Sequence, residues 1–158
     1  MQRRDRAIEY FKTGCGCAQS ILCAYSDVIG LDEKTALRLG SSFGGGMGKL
    51  REVCGALSGA FMVAGLLWGD YDPMDHKAKS AHYALVRRIA EEFKTVHGTI
   101  NCARLVEGIA NAKGSDPAPR TEEYYAVRPC VKFVATAAEI LDRIIEEKVN
   151  INLMCHPE

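Results

Sequence analysis

The sequence has no excess of charge of either sign, and this excludes one large class of partners. Its 20 Lys and Arg residues balance 20 Asp and Glu residues, and the basic residues form no long run. A neutral chain of this kind lacks the electrostatic footprint that nucleic-acid binding requires. We therefore expect no nucleic-acid partner.

Long apolar segments and a secretory signal are also missing. The best candidate for a membrane span is residues 53–69, which carry no charged side chain. As a helix this segment would cover about 25 Å, short of the ~30 Å hydrocarbon core. The initial MQRRDRA leads into no apolar stretch with a small-residue cleavage site. We expect a cytoplasmic protein with no membrane partner, in which residues 53–69 form a buried core helix.

Strand-like alternation is absent, whereas apolar residues recur at helical spacing along the chain. The length of 158 residues suits one domain, so residues 1–158 are expected to form a single redox-type helical domain. The predicted fold is an all-α bundle of five to six helices, with a glycine-rich turn between the second and third. The predicted helices cover about 17–29, a segment capped by Asp32, 53–69, 75–96, 102–109, and a final segment from Pro129.

Seven cysteines are present, but no Cys-x-x-Cys pair occurs among them. That absence excludes zinc-ribbon knuckles and a thioredoxin-like motif. An odd number argues against a closed disulfide framework, and stable disulfides are rare in a reducing cytosol. For the set as a whole, metal or redox chemistry is therefore favoured over use as small core hydrophobes.

Four of the cysteines fall at or near the starts of predicted helices, on their apolar faces: Cys17, Cys54, Cys102 and Cys130. A helix N-terminus carries partial positive charge and unpaired N–H groups, which stabilise a thiolate or an anionic iron–sulfur cluster. We predict that these four converge in space. The other three are expected to be bystanders. Cys23 is predicted to lie on a polar helix face at the surface, Cys15 precedes the helix, and Cys155 lies in a polar tail: these are the positions least suited to a shared site.

The segment Cys54-Gly55-Ala56-Leu57-Ser58-Gly59 carries a family resemblance. With its flanks, it resembles the redox-active proteins that have four cysteines and a CGAxxG motif, the C_GCAxxG_C_C family. The resemblance is strongest over residues 17–69 and continues through Cys102 and Cys130. It implies a helical cytoplasmic protein whose four key cysteines are the set named above.

That family is also similar to a domain of the split-Soret cytochromes, which are helical dimers with haem and an additional iron site. This similarity implies an iron–sulfur cluster or non-haem iron as cofactor and a homodimer as the assembly. Covalent haem is not expected, because attachment needs Cys-x-x-Cys-His. Asn152 stands where the first cysteine would precede the Cys155-His156 pair.

Small residues surround the candidate site and predict close packing. Gly55 and Gly59 lie one helical turn apart with Ala56 beside them, which admits either a neighbouring helix or a cluster. The glycine-rich segment 41–49 does not match a P-loop, because Phe43 and Leu50 occupy positions that need glycine and a hydroxyl residue. Its glycines are predicted instead to form a tight turn bordering the cysteines: Gly44, Gly45 and Gly46.

Three functions remain open from the residues. The first is an iron–sulfur or non-haem iron protein for electron transfer or sensing. The second is a thiol–disulfide redox protein in which two cysteines, such as Cys17 and Cys54, cycle without metal. The third is a partner-binding bundle whose cysteines only pack. His97 is a candidate fourth ligand or an ordinary helix-end histidine. The redox partner is not readable from the sequence.

Overall fold

The computed structural model describes residues 2–109 and 112–155, with the backbone alone described for 152–155. Ten helical segments occur in these ranges, and a 3₁₀ turn over Ser41–Phe43 precedes the fifth. They are α1 (Arg3–Lys12), α2 (Cys17–Ala24), α3 (Ser26–Ile29), α4 (Glu33–Gly40), α5 (Gly44–Met47), α6 (Gly55–Trp68), α7 (His76–His97), α8 (Cys102–Leu105), α9 (Glu122–Val127) and α10 (Cys130–Cys155).

The all-α prediction is confirmed over the described ranges, where the only β pairing is an isolated bridge between Val53 and Asn101. The cap predicted at Asp32 is also confirmed, and two further caps occur in the structure. Asp32 and Asp75 accept hydrogen bonds from the first turns of α4 and α7, and Asn101 does the same for α8. None of the described helices is long and apolar enough to cross a membrane.

Three parts of the helix prediction were wrong. Helix α1 was not predicted, although Ala7 and Phe11 lie one turn apart and are both buried. Helix α9 was not predicted either. The single helix predicted over residues 17–29 is interrupted at Tyr25, so α2 ends at Ala24. Helix α3 is separate and ends at Ile29, where the left-handed backbone of Gly30 (φ 69°) terminates it.

The centre of the bundle is α2, which packs against α1, α4, α6 and α10. Two glycines allow this close approach. A Cβ added at Gly40 would lie 2.8 Å from the backbone nitrogen of Gln19, and one added at Gly59 would lie 3.0 Å from the Ala18 carbonyl oxygen. Sequence reasoning singled out Gly59 but not Gly40. Because neighbours surround α2, it has no exposed face of any width.

Cys23 shows the consequence of this packing most clearly. It was predicted to be a surface residue beside Gln19, Ser26 and Asp27, and that prediction was wrong, because Cys23 is fully buried. Ser26 and Asp27 belong to the separate helix α3, so the polar face inferred from a continuous helix does not exist. Burial raises the pKa of the Cys23 thiol to about 12.

The burial of Cys23 predicts that Cys23→Ser destabilises the protein. A hydroxyl placed in this apolar setting costs about 1–3 kcal/mol when it gains no hydrogen bond. We expect urea unfolding under reducing conditions to show that loss. Cys15→Ser is the matched control, and because Cys15 is only partly buried we expect its free energy of unfolding to change little. An unchanged value in Cys23→Ser would contradict the core position.

Candidate functional site

All four cysteines of the predicted set line a single cavity of about 60 Å³. Each stands at the beginning of a helix. Cys17, Cys102 and Cys130 are the first residues of α2, α8 and α10, and Cys54 immediately precedes α6. Residues far apart in sequence are thus brought together because four helices begin at the same end of the bundle.

A short backbone pairing holds two of these cysteines side by side. The N–H of Cys54 donates to the Ile100 carbonyl oxygen at 2.9 Å, and the N–H of Cys102 donates to the Glu52 carbonyl oxygen at 2.6 Å. These bonds flank the isolated bridge and tie the start of α6 to the start of α8. The glycine-rich segment reaches this pairing through a backbone with positive φ at Gly45 and Gly46, a conformation that glycine adopts without strain.

Glycines form the narrow parts of the cavity wall. A Cβ at Gly46 would lie 2.5 Å from the Cys102 Cβ, and one at Gly55 would lie 2.6 Å from the Phe43 carbonyl oxygen. Those distances are too short for real side chains, so the cavity keeps its shape only with glycine there. Gly44 differs, since a Cβ there would meet nothing within 4 Å. Ala56 is fully buried in the adjoining turn of α6.

Cys17 and Cys130 form a hydrogen-bonded thiol pair. The Cys17 thiol donates to the Cys130 sulfur, and this bond lowers the pKa of Cys130 to about 7 and raises the pKa of Cys17 well above its usual range. Burial opposes ionisation of both sulfurs. The positive charges of Arg128 and Arg120 favour the Cys130 thiolate. Cys130 is therefore the thiol of the pair that ionises near neutral pH.

The arginines around the cavity were not identified from the sequence. Arg51 donates from Nη1 to the Cys102 sulfur at 3.4 Å and from Nη2 to the Ala112 carbonyl oxygen. Arg120 lies over the rings of Phe11 and Tyr124, which hold its guanidinium beside the cavity. No local signal marks the contacts of Arg51 with Cys102 and of Arg120 with Phe11, because these partners are distant in sequence.

Cys54 shows that a helix start alone does not produce a reactive thiolate. Burial raises its pKa to about 12, and the backbone N–H groups of Ala56 and Leu57 act only partly against that effect. The sequence-based expectation that helix N-termini lower the pKa of these cysteines is therefore wrong for Cys54. Cys130 has a lowered pKa instead, because it accepts a hydrogen bond from Cys17 and lies near the positive charges of Arg128 and Arg120.

The remaining candidates lie elsewhere. Cys15 and Cys23 do not line the cavity. His97 pairs its Nε2 with the Thr136 hydroxyl at 2.9 Å and packs against Phe133, so it is a structural histidine of the α7–α10 contact. The side chain of Cys155 lies outside the described residues. Within the part of the chain that the structure describes, no three His, Cys, Asp or Glu side chains are arranged to hold a metal ion.

The fold and the site define an all-α protein with a four-cysteine cavity. The family model described as "Putative redox-active protein (C_GCAxxG_C_C)" matches residues 15–144, a span that contains all four cysteines. The chain therefore belongs to this redox-active family. No curated protein and no solved structure matches it.

Proposed function

We propose that this protein is a thiol–disulfide redox protein in which Cys130 is the attacking thiolate and Cys17 is the resolving thiol. The observation that carries the proposal is that Cys17 and Cys130 line one small cavity together with Arg128 and Arg120, a setting that lowers the pKa of Cys130. Thiol–disulfide exchange requires a thiolate, and an attacking thiol with a pKa near the ambient pH is the most effective. Cys130 meets that requirement.

The first step is attack of the Cys130 thiolate on one sulfur of a substrate disulfide. A sulfur–sulfur bond forms between Cys130 and that sulfur, and the substrate S–S bond breaks. The second substrate sulfur leaves as a thiolate and takes up a proton. The Cys17 thiol is hydrogen-bonded to Cys130 and can supply that proton as its own pKa falls once the Cys130 thiolate is consumed.

The second step is attack of the Cys17 sulfur on Cys130. A Cys17–Cys130 disulfide forms, and the substrate leaves as its second thiol. Two electrons pass from the cysteine pair to the substrate disulfide. One substrate thiolate takes the Cys17 proton, and the other takes a proton from solvent, equal to the one that Cys130 released when it ionised.

An iron centre is the second candidate, favoured by the arrangement of all four thiols around one cavity. Four thiolates are the usual ligands of iron–sulfur clusters, and Cys17, Cys54, Cys102 and Cys130 would hold such a cluster or a non-haem iron ion. The chemistry of these donors fits iron. Their placement does not hold a metal as it stands, since no three metal-ligating side chains in the described ranges are suitably arranged. The thiol pair is therefore the better-supported function.

Trapping the mixed disulfide tests the proposal. Reduced protein is treated with hydroxyethyl disulfide and examined by mass spectrometry with peptide mapping. We expect wild type to form a Cys17–Cys130 disulfide without a lasting adduct. Cys17→Ser should instead retain one mercaptoethanol adduct on Cys130, because the resolving thiol is gone. The matched control Cys102→Ser should behave like wild type.

Two results would contradict this function. One is a Cys17→Ser protein that carries no adduct on Cys130. The other is stoichiometric iron and sulfide after anaerobic reconstitution, lost in Cys102→Ser as well as in Cys17→Ser. That second result would assign all four cysteines to an iron centre.

A further inference from the structure

A cleft of about 500 Å³ adjoins the cysteine cavity. Both spaces share part of their lining, including Arg51, Arg120 and Arg128 together with Gly44 and Gly45. The volume lies within the range of about 300–1,000 Å³ that is usual for small-molecule sites. Because the arginines border both spaces, a molecule bound in the cleft would reach the cysteines directly.

The described charged side chains that line the cleft are all positive. Its lining includes Lys49 and the three arginines, and none of the described residues that line it carries a carboxylate. Lys49 donates to the Asp116 carbonyl oxygen, and the Asp116 carboxylate acts on it from beside the cleft. Lys49, Arg51 and Arg120 against one flanking carboxylate leave a local excess of positive charge in a protein whose total charge is zero.

Such a cleft selects for negatively charged ligands. Guanidinium groups match carboxylates with two parallel hydrogen bonds, and partly enclosed cations attract anions more strongly than cations in bulk water do. The open side of Gly44, where a Cβ would meet nothing within 4 Å, leaves room between the cations and the thiols. An anionic group in the cleft would thus place the remainder of its molecule against the cavity.

We propose that the cleft binds a small disulfide bearing carboxylate groups and presents its S–S bond to the cysteine cavity. The proposal rests on the proposed thiol–disulfide function. The electrons come from the Cys17–Cys130 dithiol, which becomes a disulfide, while the bound molecule is reduced to two thiols. The cations take no part in bond exchange, and their role is to position and select the substrate.

A charge series of small disulfides tests this selection. The probes are dithiodipropionate, hydroxyethyl disulfide and cystamine, which are anionic, neutral and cationic. For each probe, the rate of protein oxidation is divided by the rate at which the same disulfide oxidises mercaptoethanol at the same ionic strength. This ratio removes differences between the leaving groups of the three disulfides. We expect the corrected rates to fall in that order. Lys49→Gln should lower the ratio of the dithiodipropionate rate to the hydroxyethyl disulfide rate by roughly three- to ten-fold.

The matched control is Lys77→Gln, which removes one positive charge from the exposed start of α7. We expect it to change none of the three rates. Equal corrected rates for the three probes, or a Lys49→Gln protein that reacts like wild type, would overturn the substrate proposal. Oxidation by hydroxyethyl disulfide would still support the thiol chemistry in that case.

A binding measurement separates failure of the cleft from failure of the chemistry. Thiodipropionate carries two carboxylates but no S–S bond, so its binding to Cys130→Ser, measured by calorimetry, does not depend on thiol exchange. We expect binding that Lys49→Gln weakens by a similar three- to ten-fold factor. Binding without any disulfide reaction in wild type would keep the anion site and refute the proposed function. Absence of binding would overturn the anion site.

Discussion

Cys130→Ser should abolish the alkylation of the folded, reduced protein that occurs at pH 7. In wild type, Cys130 has a pKa lowered to about 7, so about half of it is thiolate at that pH. Burial raises the pKa of Cys54 and Cys23 to about 12, which leaves them protonated. Iodoacetamide labelling with peptide mapping should therefore find the Cys130 adduct in wild type and lose it in the variant.

The rate of Cys130 alkylation should fall as the pH is lowered. A thiol whose pKa is lowered on folding remains thiolate down to that lower pH, so the rate should fall as pH drops through about 7. Arg128→Gln removes a positive charge that favours the thiolate, so the midpoint of the rate should move to higher pH. Arg87→Gln, on the exposed side of α7, is the charge-matched control and should leave the midpoint in place.

A profile centred near pH 9 in wild type would contradict the account of the pair. An Arg128→Gln variant whose alkylation rate has the same pH midpoint as wild type would also contradict this account. The first result would mean that the Cys17 hydrogen bond and the two arginines do not outweigh burial. The second would mean that the thiolate depends on Cys17 and Arg120 without a contribution from Arg128.

Gly59→Leu should lower the melting temperature by a few degrees, up to roughly 8 °C. A Cβ at Gly59 already lies 3.0 Å from both the Ala18 carbonyl oxygen and the Ile21 Cβ, so a leucine must push α2 away from α6. Overpacking of this kind costs about 1–3 kcal/mol, and each kcal/mol shifts the melting temperature by about 2–4 °C in a protein of this size. Replacing a helical glycine gains up to ~1 kcal/mol in the opposite direction.

The same helix provides the control. Gly65 lies in α6, and a Cβ added there would meet nothing within 4 Å. Gly65→Leu should therefore keep or slightly raise the melting temperature, because the propensity gain is not opposed by a clash. Thermal unfolding of both variants separates close packing from helix propensity. A Gly59→Leu protein as stable as wild type would show that α2 and α6 adjust without cost.

The Gly59 variant also tests how packing supports the cysteine pair. Ala18 follows Cys17 at the start of α2, so displacement of this turn moves Cys17 relative to Cys130. We expect the alkylation midpoint of Cys130 to rise in Gly59→Leu and to stay near 7 in Gly65→Leu. A lowered melting temperature with an unchanged midpoint would show that the pair does not depend on this contact.

Local chemistry in the sequence was sufficient to predict much of the fold. Asp32 caps α4 where its side chain predicts a cap, because capping depends on residues only two or three positions away. Apolar periodicity located α6, α7 and α10 for the same reason. The placement of Cys17, Cys102 and Cys130 at helix starts followed from these boundaries.

Periodicity failed where a helix is surrounded. A polar face can be read only from a helix that has one, and α2 is covered by four neighbours. Cys23 was therefore placed at the surface although it is fully buried. Helix α9 was missed because it is a six-residue segment after a long loop, and its formation depends on Tyr124 packing into the site more than on helix propensity.

The sequence by itself determined the helical class, the caps and the family pattern of four cysteines, all of which depend on neighbouring residues or on motif spacing. Only the tertiary structure decided which thiol ionises and what surrounds it. The pKa of Cys130 depends on Cys17, 113 positions earlier in the chain, and on Arg120, which rests on aromatic rings from α1 and α9. A thiol's pKa reflects burial and charge within a few ångströms, and those distances exist only after the chain has folded.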